Sequence, residues 1–335
     1  VTTLRPLGLG ELMDRSISFW RQHWRPLFQL AVAFQLAQLI VVKGAQLVSK
    51  RLFPLFGSGP DAMEQLRQAP AEALPQVAGF SAALLVAILG ALFISQVAGV
   101  ATSHFTWARL TGARPPSPGD AFRRAAQRLG DTAGAYALSL AWALAVSALM
   151  VGPGIGLAVG AVVLAKQGPQ GAAAALGALA AVAFVGGVVL LILWFILRFI
   201  LLSQVLAAED GGALEAFRRA GRLASGRVGG GLLGLVKVRL TIVVTVLGGI
   251  LLLVSLLMSL PTFIAGAIYG VTFQPGRGLD DVVPAVVLVP IELLQTVGGS
   301  LVAPLYVVFQ VMFYGDMRAR REGLDLELAL EAASR

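Results

Sequence analysis

The sequence predicts an all-α, polytopic membrane protein of about six transmembrane helices in three hairpins, each hairpin preceded by a cytoplasmic, interfacial amphipathic helix. Three observations predict it. The chain of 335 residues is 57% hydrophobic and 13% charged, with a mean hydropathy of +0.81, whereas soluble domains carry about 25% charged residues. Its apolar runs reach the length of about 20 residues that a helix needs to cross the hydrocarbon core. Finally, arginine segregates. The connections at 1–25, 108–131, 209–231 and 315–335 are Arg-rich, and those near 49–76, 166–171 and 271–283 are Arg-poor. Lys and Arg in short loops stay on the cytoplasmic side, so both termini are expected inside.

The spans follow in order. The first is about Pro26–Val48, with Pro at a helix start where its missing N–H costs nothing, and the second about Val77–Thr106. The third, Ala133–Ala165, is interrupted at Gly152-Pro153-Gly154, which predicts a kink. The fourth is Ala172–Leu206 and the fifth Gly231–Tyr269, with Pro261 as a second kink position. The sixth, Val283–Tyr314, contains Pro284, Pro290 and Pro304. Spans three to six exceed the bilayer, so tilt or extension beyond it is expected. As one membrane domain, 1–335, the chain divides into an interfacial helix (1–25), hairpin one (26–107), an interfacial helix (108–132), hairpin two (133–206), an interfacial helix (207–230), hairpin three (231–314) and a cytoplasmic tail (315–335).

The Arg-rich segments share a design. In Leu9–Leu27, Leu9, Met13, Ile17, Trp20, Trp24 and Leu27 recur at helical spacing, opposite a polar face holding Arg15, Arg21 and Arg25. An apolar stripe with Trp and a basic face is the composition of a helix lying in the membrane interface. Asp120–Tyr136 repeats it with Arg123 and Arg124, and Leu214–Val228 with Arg218 and Arg219. These arginines are expected to meet anionic phospholipid headgroups. The net charge of +8 therefore points to lipid and not to nucleic acid. The segments Ala121-Phe122-Arg123-Arg124-Ala125 and Ala216-Phe217-Arg218-Arg219-Ala220 are identical. An internal repeat and a chance match both stand as readings. The opening residues, VTTLRPLGLGELMDR, hold no apolar core, so no cleavable signal peptide is expected.

Both ends carry a resemblance. Arg5-Pro6-Leu7-Gly8-Leu9-Gly10-Glu11-Leu12-Met13-Asp14-Arg15 looks like the opening of a group of bacterial and archaeal membrane proteins labelled as the membrane domain of glycerophosphoryl diester phosphodiesterase. The stretch Tyr314-Gly315-Asp316-Met317-Arg318-Ala319-Arg320-Arg321-Glu322-Gly323-Leu324-Asp325-Leu326 is similar to that group's closing Tyr-x-Asp-x-Arg-x-Arg-x-Glu-Gly-x-Asp-Leu pattern. The segment 213–226 resembles its Ala-Leu-x-Arg-Ser-x-x-Leu-x-x-Gly stretch, with Ala220 where Ser is usual. The resemblance implies a six-span helical domain in a bacterial or archaeal cytoplasmic membrane. It implies no activity, because the label comes from larger proteins that also carry a catalytic barrel.

Chemistry is sparse. The chain has no cysteine and only two histidines, His23 and His104, both near the inner ends of spans. Phosphodiester cleavage needs metal-binding carboxylates and acid–base histidines, so that activity is not expected, nor is any other enzyme or cofactor. Gly229-Gly230-Gly231 reads as a flexible corner, and the pairs Gly248-Gly249 and Gly298-Gly299 as sites of close helix packing. The deep polar residues matter more. Glu292 stands eight residues after Pro284, about 12 Å along a helix, where a carboxylate marks a transport or proton site unless it reaches the outer interface or Arg277. Gln295, Arg198 in span four and Gln96 in span two complete a possible polar cavity, while snorkelling to inner headgroups is the plainer account of Arg198. Buried amides are also interhelical glue. Asp316, Arg318, Arg320, Arg321 and Asp325 read either as a short helix, Arg318–Leu330, knitted by charge pairs, or as a docking surface for a protein partner. The leading expectation is a non-enzymatic membrane scaffold or accessory subunit engaging anionic lipid. The alternative is a transporter of a small solute, ion or lipid near Glu292 and Arg198.

Overall fold

A computed structural model describes residues 7–53, 70–112, 116–270, 279–324 and 326. It is 89% helix, with no strand among the described residues, so the fold is all-α. Six helical stretches are long and apolar enough to cross a membrane: Trp24–Ser49, Leu74–Leu110, Leu129–Met150, Gln170–Ala208, Val236–Ile268 and Ala285–Glu322. Leu85, Leu149, Val182, Leu253 and Val286 stand exposed along them. An apolar surface of that extent faces lipid, which makes the chain a multi-pass membrane protein.

The contacts fall into two units. The first comprises 7–127 and 244–313. Its helix α1 (Leu9–Gln22) starts at extended Gly8, places Glu11 in the first turn and Arg21 in the last, and buries Leu12, Ser16 and Phe19. Those end charges suit the helix dipole. The single helix expected to reach Leu27 divides at His23, whose Nδ1 lies 3.0 Å from the Phe19 carbonyl and whose ring stacks on Phe19 at 4.4 Å. Helix α2 (Trp24–Leu52) packs along α3 (Pro70–Leu110). Helix α4 (Pro118–Gln127) packs on both. It opens with reciprocal hydrogen bonds: Ser117 N–H and Oγ–H donate to Asp120 Oδ2 at 3.0 and 2.8 Å, and Asp120 N–H donates to Ser117 Oγ at 3.2 Å. Such a box satisfies the amides that a helix start leaves without partners. Arg128 then turns the chain, so the helix expected over Asp120–Tyr136 is two helices.

The second unit comprises 128–243 and 314 onward. The expected third span is α5 (Leu129–Met150) and α6 (Gly152–Gln167), divided at Val151 beside the Gly-Pro-Gly sequence. The fourth is α7 (Gln170–Phe199) and a buried helix of about two turns, α8 (Leu202–Ala208). Gly187 on α7 makes the contact with the end of α5 possible: a Cβ there would lie 2.2 Å from the Met150 carbonyl oxygen. Helix α9 (Ala213–Leu223) buries Ala216, Ala220, Gly221 and Leu223 and leaves Leu214 exposed. The glycine corner is closed: Val228 N–H donates to Gly234 O (2.8 Å) and Val236 N–H to Gly226 O (3.1 Å). That closure delays the fifth span to α10 (Val236–Ile268). After the short α11 (Leu279–Val282), helix α12 runs from Ala285 to Glu322 through Pro290 and Pro304. The separate helix expected at Arg318 is its unbroken end, stopped at Gly323, which takes φ +70°. Helices α10 and α12 each contribute to both units. Gly298 packs against Met258, whereas an added Cβ at Gly248 or Gly249 would meet nothing within 4 Å among the described residues.

Candidate functional site

In the first unit, polar side chains line up between α2, α3, α10 and α12. Ser300 Oγ donates to Gln35 Oε1 (2.9 Å), and Gln38 Nε2 donates to the Ala91 carbonyl of α3 (2.7 Å). Gln295 Nε2 donates to Thr262 of α10, and Thr296 Oγ1 to the Glu292 carbonyl (2.8 Å). Two cavities adjoin this file. One, of about 200 Å³, is lined by Gln35, Gln38, Ser95, Thr102, Pro304 and Tyr306 among others. The other, of about 450 Å³, shares Gln35, Gln38 and Ser95 and extends to Thr296. One turn beyond Thr296 stands Glu292.

Glu292 forms an ion pair with Lys43 of α2. The carboxylate keeps 20% of its side-chain exposure and the lysine 31%, so both are held mostly inside the helices. The partner anticipated from the sequence, Arg277, lies outside the described residues, as does Asp325. A carboxylate in an apolar run is costly to ionise alone; a lysine on the neighbouring helix compensates it. The backbone is not opened by Pro290, since α12 continues through it. Gln295 hydrogen-bonds across to α10, the role of interhelical glue. Gln96 is half-buried on α3, where its neighbour Ser95 is the residue that lines the cavities.

Arg198 belongs to the second unit, where it lines a separate cavity of about 890 Å³ with residues of α9. The same unit holds the C-terminal signature, turned inward. Tyr314, fully buried, donates its hydroxyl to Glu209 Oε1 (2.6 Å). Arg219 pairs with Glu209 and, at 2.8 Å, with Glu322, which also accepts from Arg318 Nε (2.9 Å). Burial disfavours the Arg219 charge, but the hydrogen bonds and charges of Glu209 and Glu322 prevail and raise its pKa above the ordinary arginine value. Asp316 is 2% exposed and accepts from Arg320 at 2.9 and 3.0 Å, with Arg239 at 3.7 Å. Arg321 donates to the carbonyls of Arg222 (2.8 Å) and Ser225. A docking surface built on Asp316 is thus corrected: its carboxylate is enclosed and already paired.

One participant carried no signal in the sequence. Arg128 donates to the carbonyls of Leu206, Glu209, Asp210 and Gly211 and pairs with Asp131 at 2.8 Å. Carbonyls at a helix end have no partners within the helix, and one guanidinium serves the end of α8 and the chain beyond it. Among the arginines assigned to lipid, Arg15 pairs with Glu11 and Arg123 with Asp120, both at 2.9 Å, and Arg219 is enclosed as above. Arg124 is half-buried, while Arg21, Arg25 and Arg218 are exposed. Comparison of the chain with protein-family models, with curated proteins and with solved structures gives no match.

Proposed function

We propose that this chain is a membrane carrier for a small polar solute, with its path through the first unit, and that its spans form three hairpins with both termini on the cytoplasmic side. The observation that carries the proposal is the Lys43–Glu292 pair at the end of a file of amides and hydroxyls, inside helices whose outer surfaces are apolar. From Tyr306 to Glu292 the file follows α12 for about 21 Å, against a hydrocarbon core of about 30 Å. Polar side chains cost free energy at that depth unless they meet one another, water or a solute. An ion pair keeps the site neutral while offering both a donor and an acceptor.

The absence of cysteine gives a direct test. Gln38→Cys, Ser95→Cys and Thr296→Cys, made singly, should react in membranes with a charged, water-soluble methanethiosulfonate, and Leu85→Cys on the lipid face should not. If none of the first three reacts, the file is dry and the carrier reading falls. In proteoliposomes, glycerol-driven light-scattering changes should be faster than in protein-free vesicles and slower again with Glu292→Gln, which removes the carboxylate paired with Lys43.

A second reading is favoured by a different observation: Arg21, Arg25, Arg123 and Arg218 are exposed beside the starts of apolar helices. They fit a non-enzymatic scaffold or accessory subunit held against anionic phospholipid, with α1, α4 and α9 lying in the interface and a protein partner beyond it. The likeness of both ends to the phosphodiesterase-associated membrane domain belongs to this reading and brings no activity with it.

A further inference from the structure

In the second unit most arginines are answered by a carboxylate or a carbonyl. Arg128, Arg219, Arg239, Arg320 and Arg321 all are. Three of the rest stand together. Arg198, Arg218 and Arg222 line one cavity of about 890 Å³ and form no ion pair among the described residues. Among the described residues a single carboxylate, Glu215, lines it with them. The cavity also reaches Gly212, Ala213 and Leu214, the start of α9. The first N–H groups of a helix have no acceptor within it and favour an anion.

Arg198 is fixed for this task. Its guanidinium lies 5.3 Å from the Trp142 ring, 5.8 Å from Phe199 and 6.0 Å from Phe217. Gly221 lets it approach α9, since a Cβ there would stand 3.2 Å from the guanidinium carbon. Its Nε is buried and donates to no acceptor among the described residues. A planar cation held by rings, with an unused N–H, is pre-organised to hydrogen-bond an oxyanion. One and two turns earlier on the same face of α7, Trp194 and Leu190 are exposed, so an apolar strip leads up to the cation.

We infer that the cavity between α9 and the end of α7 binds a phosphate group, held by Arg198, Arg218 and Arg222, and that the apolar strip on α7 makes a phospholipid headgroup its source. Guanidinium forks match the paired oxygens of phosphate. The strip supplies what a free phosphate ion would not use. This site is independent of the solute path in the first unit.

The test uses the full chain in detergent and three probes: inorganic phosphate, dioctanoyl phosphatidic acid and dioctanoyl phosphatidylcholine. Binding is read by thermophoresis. Phosphatidic acid should bind at least about tenfold more tightly than phosphatidylcholine, and R218Q and R222Q should each weaken it about tenfold, the worth of one charge-assisted hydrogen bond. R227Q, which alters an exposed arginine outside the cavity lining, should change nothing. R198Q should weaken binding more, but the exposed positions carry the test if that variant fails to fold. Phosphate binding as tightly as phosphatidic acid, with the same sensitivity to R218Q and R222Q, keeps the phosphate site and overturns the lipid as its source. Phosphatidic acid binding that ignores both substitutions, or no binding by any probe, overturns the site.

Discussion

The pentapeptide Ala-Phe-Arg-Arg-Ala occurs in α4 and again in α9, and both copies bury the same positions. Ala121 and Ala125 are 0% and 1% exposed, and Ala216 and Ala220 are 2% and 0%. In each copy the phenylalanine meets a phenylalanine of a long apolar helix, Phe122 against Phe34 at 5.0 Å and Phe217 against Phe199 at 5.2 Å. In each the first arginine is exposed and the second half-buried. The acidic neighbours differ in effect. Asp120 captures Arg123, whereas Arg218 forms no ion pair with Glu215 or any other of the described residues. Arg219 is drawn into a network with two carboxylates from elsewhere in the chain. Small residues at spacing four thus set how such a helix seats, while distant partners decide whether its arginines serve structure or remain open to a ligand.

The largest contrast should come from the arginines. Arg219→Ala leaves Glu209 and Glu322 short of a cation, and we expect a loss of about 2–3 kcal/mol, below the about 3–5 typical of full burial because 22% of the side chain meets solvent. Arg123→Ala removes an exposed pair of adjacent turns and should cost no more than about 0.5 kcal/mol. Differential scanning fluorimetry in detergent separates the two. Equal shifts in melting temperature would mean that the Arg219 network is ornamental.

Next come the seats themselves. Ala125→Leu and Ala220→Leu both force a branched chain into a closed contact, and each should cost about 1–3 kcal/mol. Similar losses at the two positions support one seating rule. A silent Ala125→Leu beside a damaging Ala220→Leu would break the comparison. The smallest effects lie at the helix starts. Ser117→Ala should cost about 1 kcal/mol by removing the reciprocal cap. Gly212, where α9 begins without a side-chain cap and where an added Cβ meets nothing within 4 Å among the described residues, should accept Ser with a gain of a few tenths of a kcal/mol. A destabilising Gly212→Ser would show that the start of α9 needs glycine for another reason.

The six apolar stretches were legible in the sequence because burial in lipid needs only composition and length. Gly152-Pro153-Gly154 marked a real break for the same local reason. The break at Ile200–Leu201 had no such mark, because it lies among residues that all favour helix. Glu292 drew notice as a carboxylate in an apolar run, but Lys43 did not, since it stands near the end of its span, where lysines are ordinary. The two pair because α2 and α12 come together, which no local pattern states. Nor does spacing distinguish Arg218 from Arg219. Both fall on the polar face of α9, and only the arrival of Glu209 and Glu322 decides which of them turns inward.

Arg128 sets a timetable for biogenesis. Beyond the nearby Asp131, its carbonyl acceptors lie 78 to 83 residues later in the chain. At about 5–20 residues per second of synthesis, the ribosome needs about 4–16 s to make them. Until then the guanidinium has to be kept in water or among headgroups, which tethers the start of α5 at the cytoplasmic edge in the topology proposed above. The same delay recurs on a longer scale, because Glu209 waits 105 residues for Tyr314. A nascent chain stopped before Tyr314 would therefore present two early helices already inserted but not yet fastened, and quality-control proteases would meet Glu209 and Arg219 without the contacts that Tyr314 and Glu322 supply.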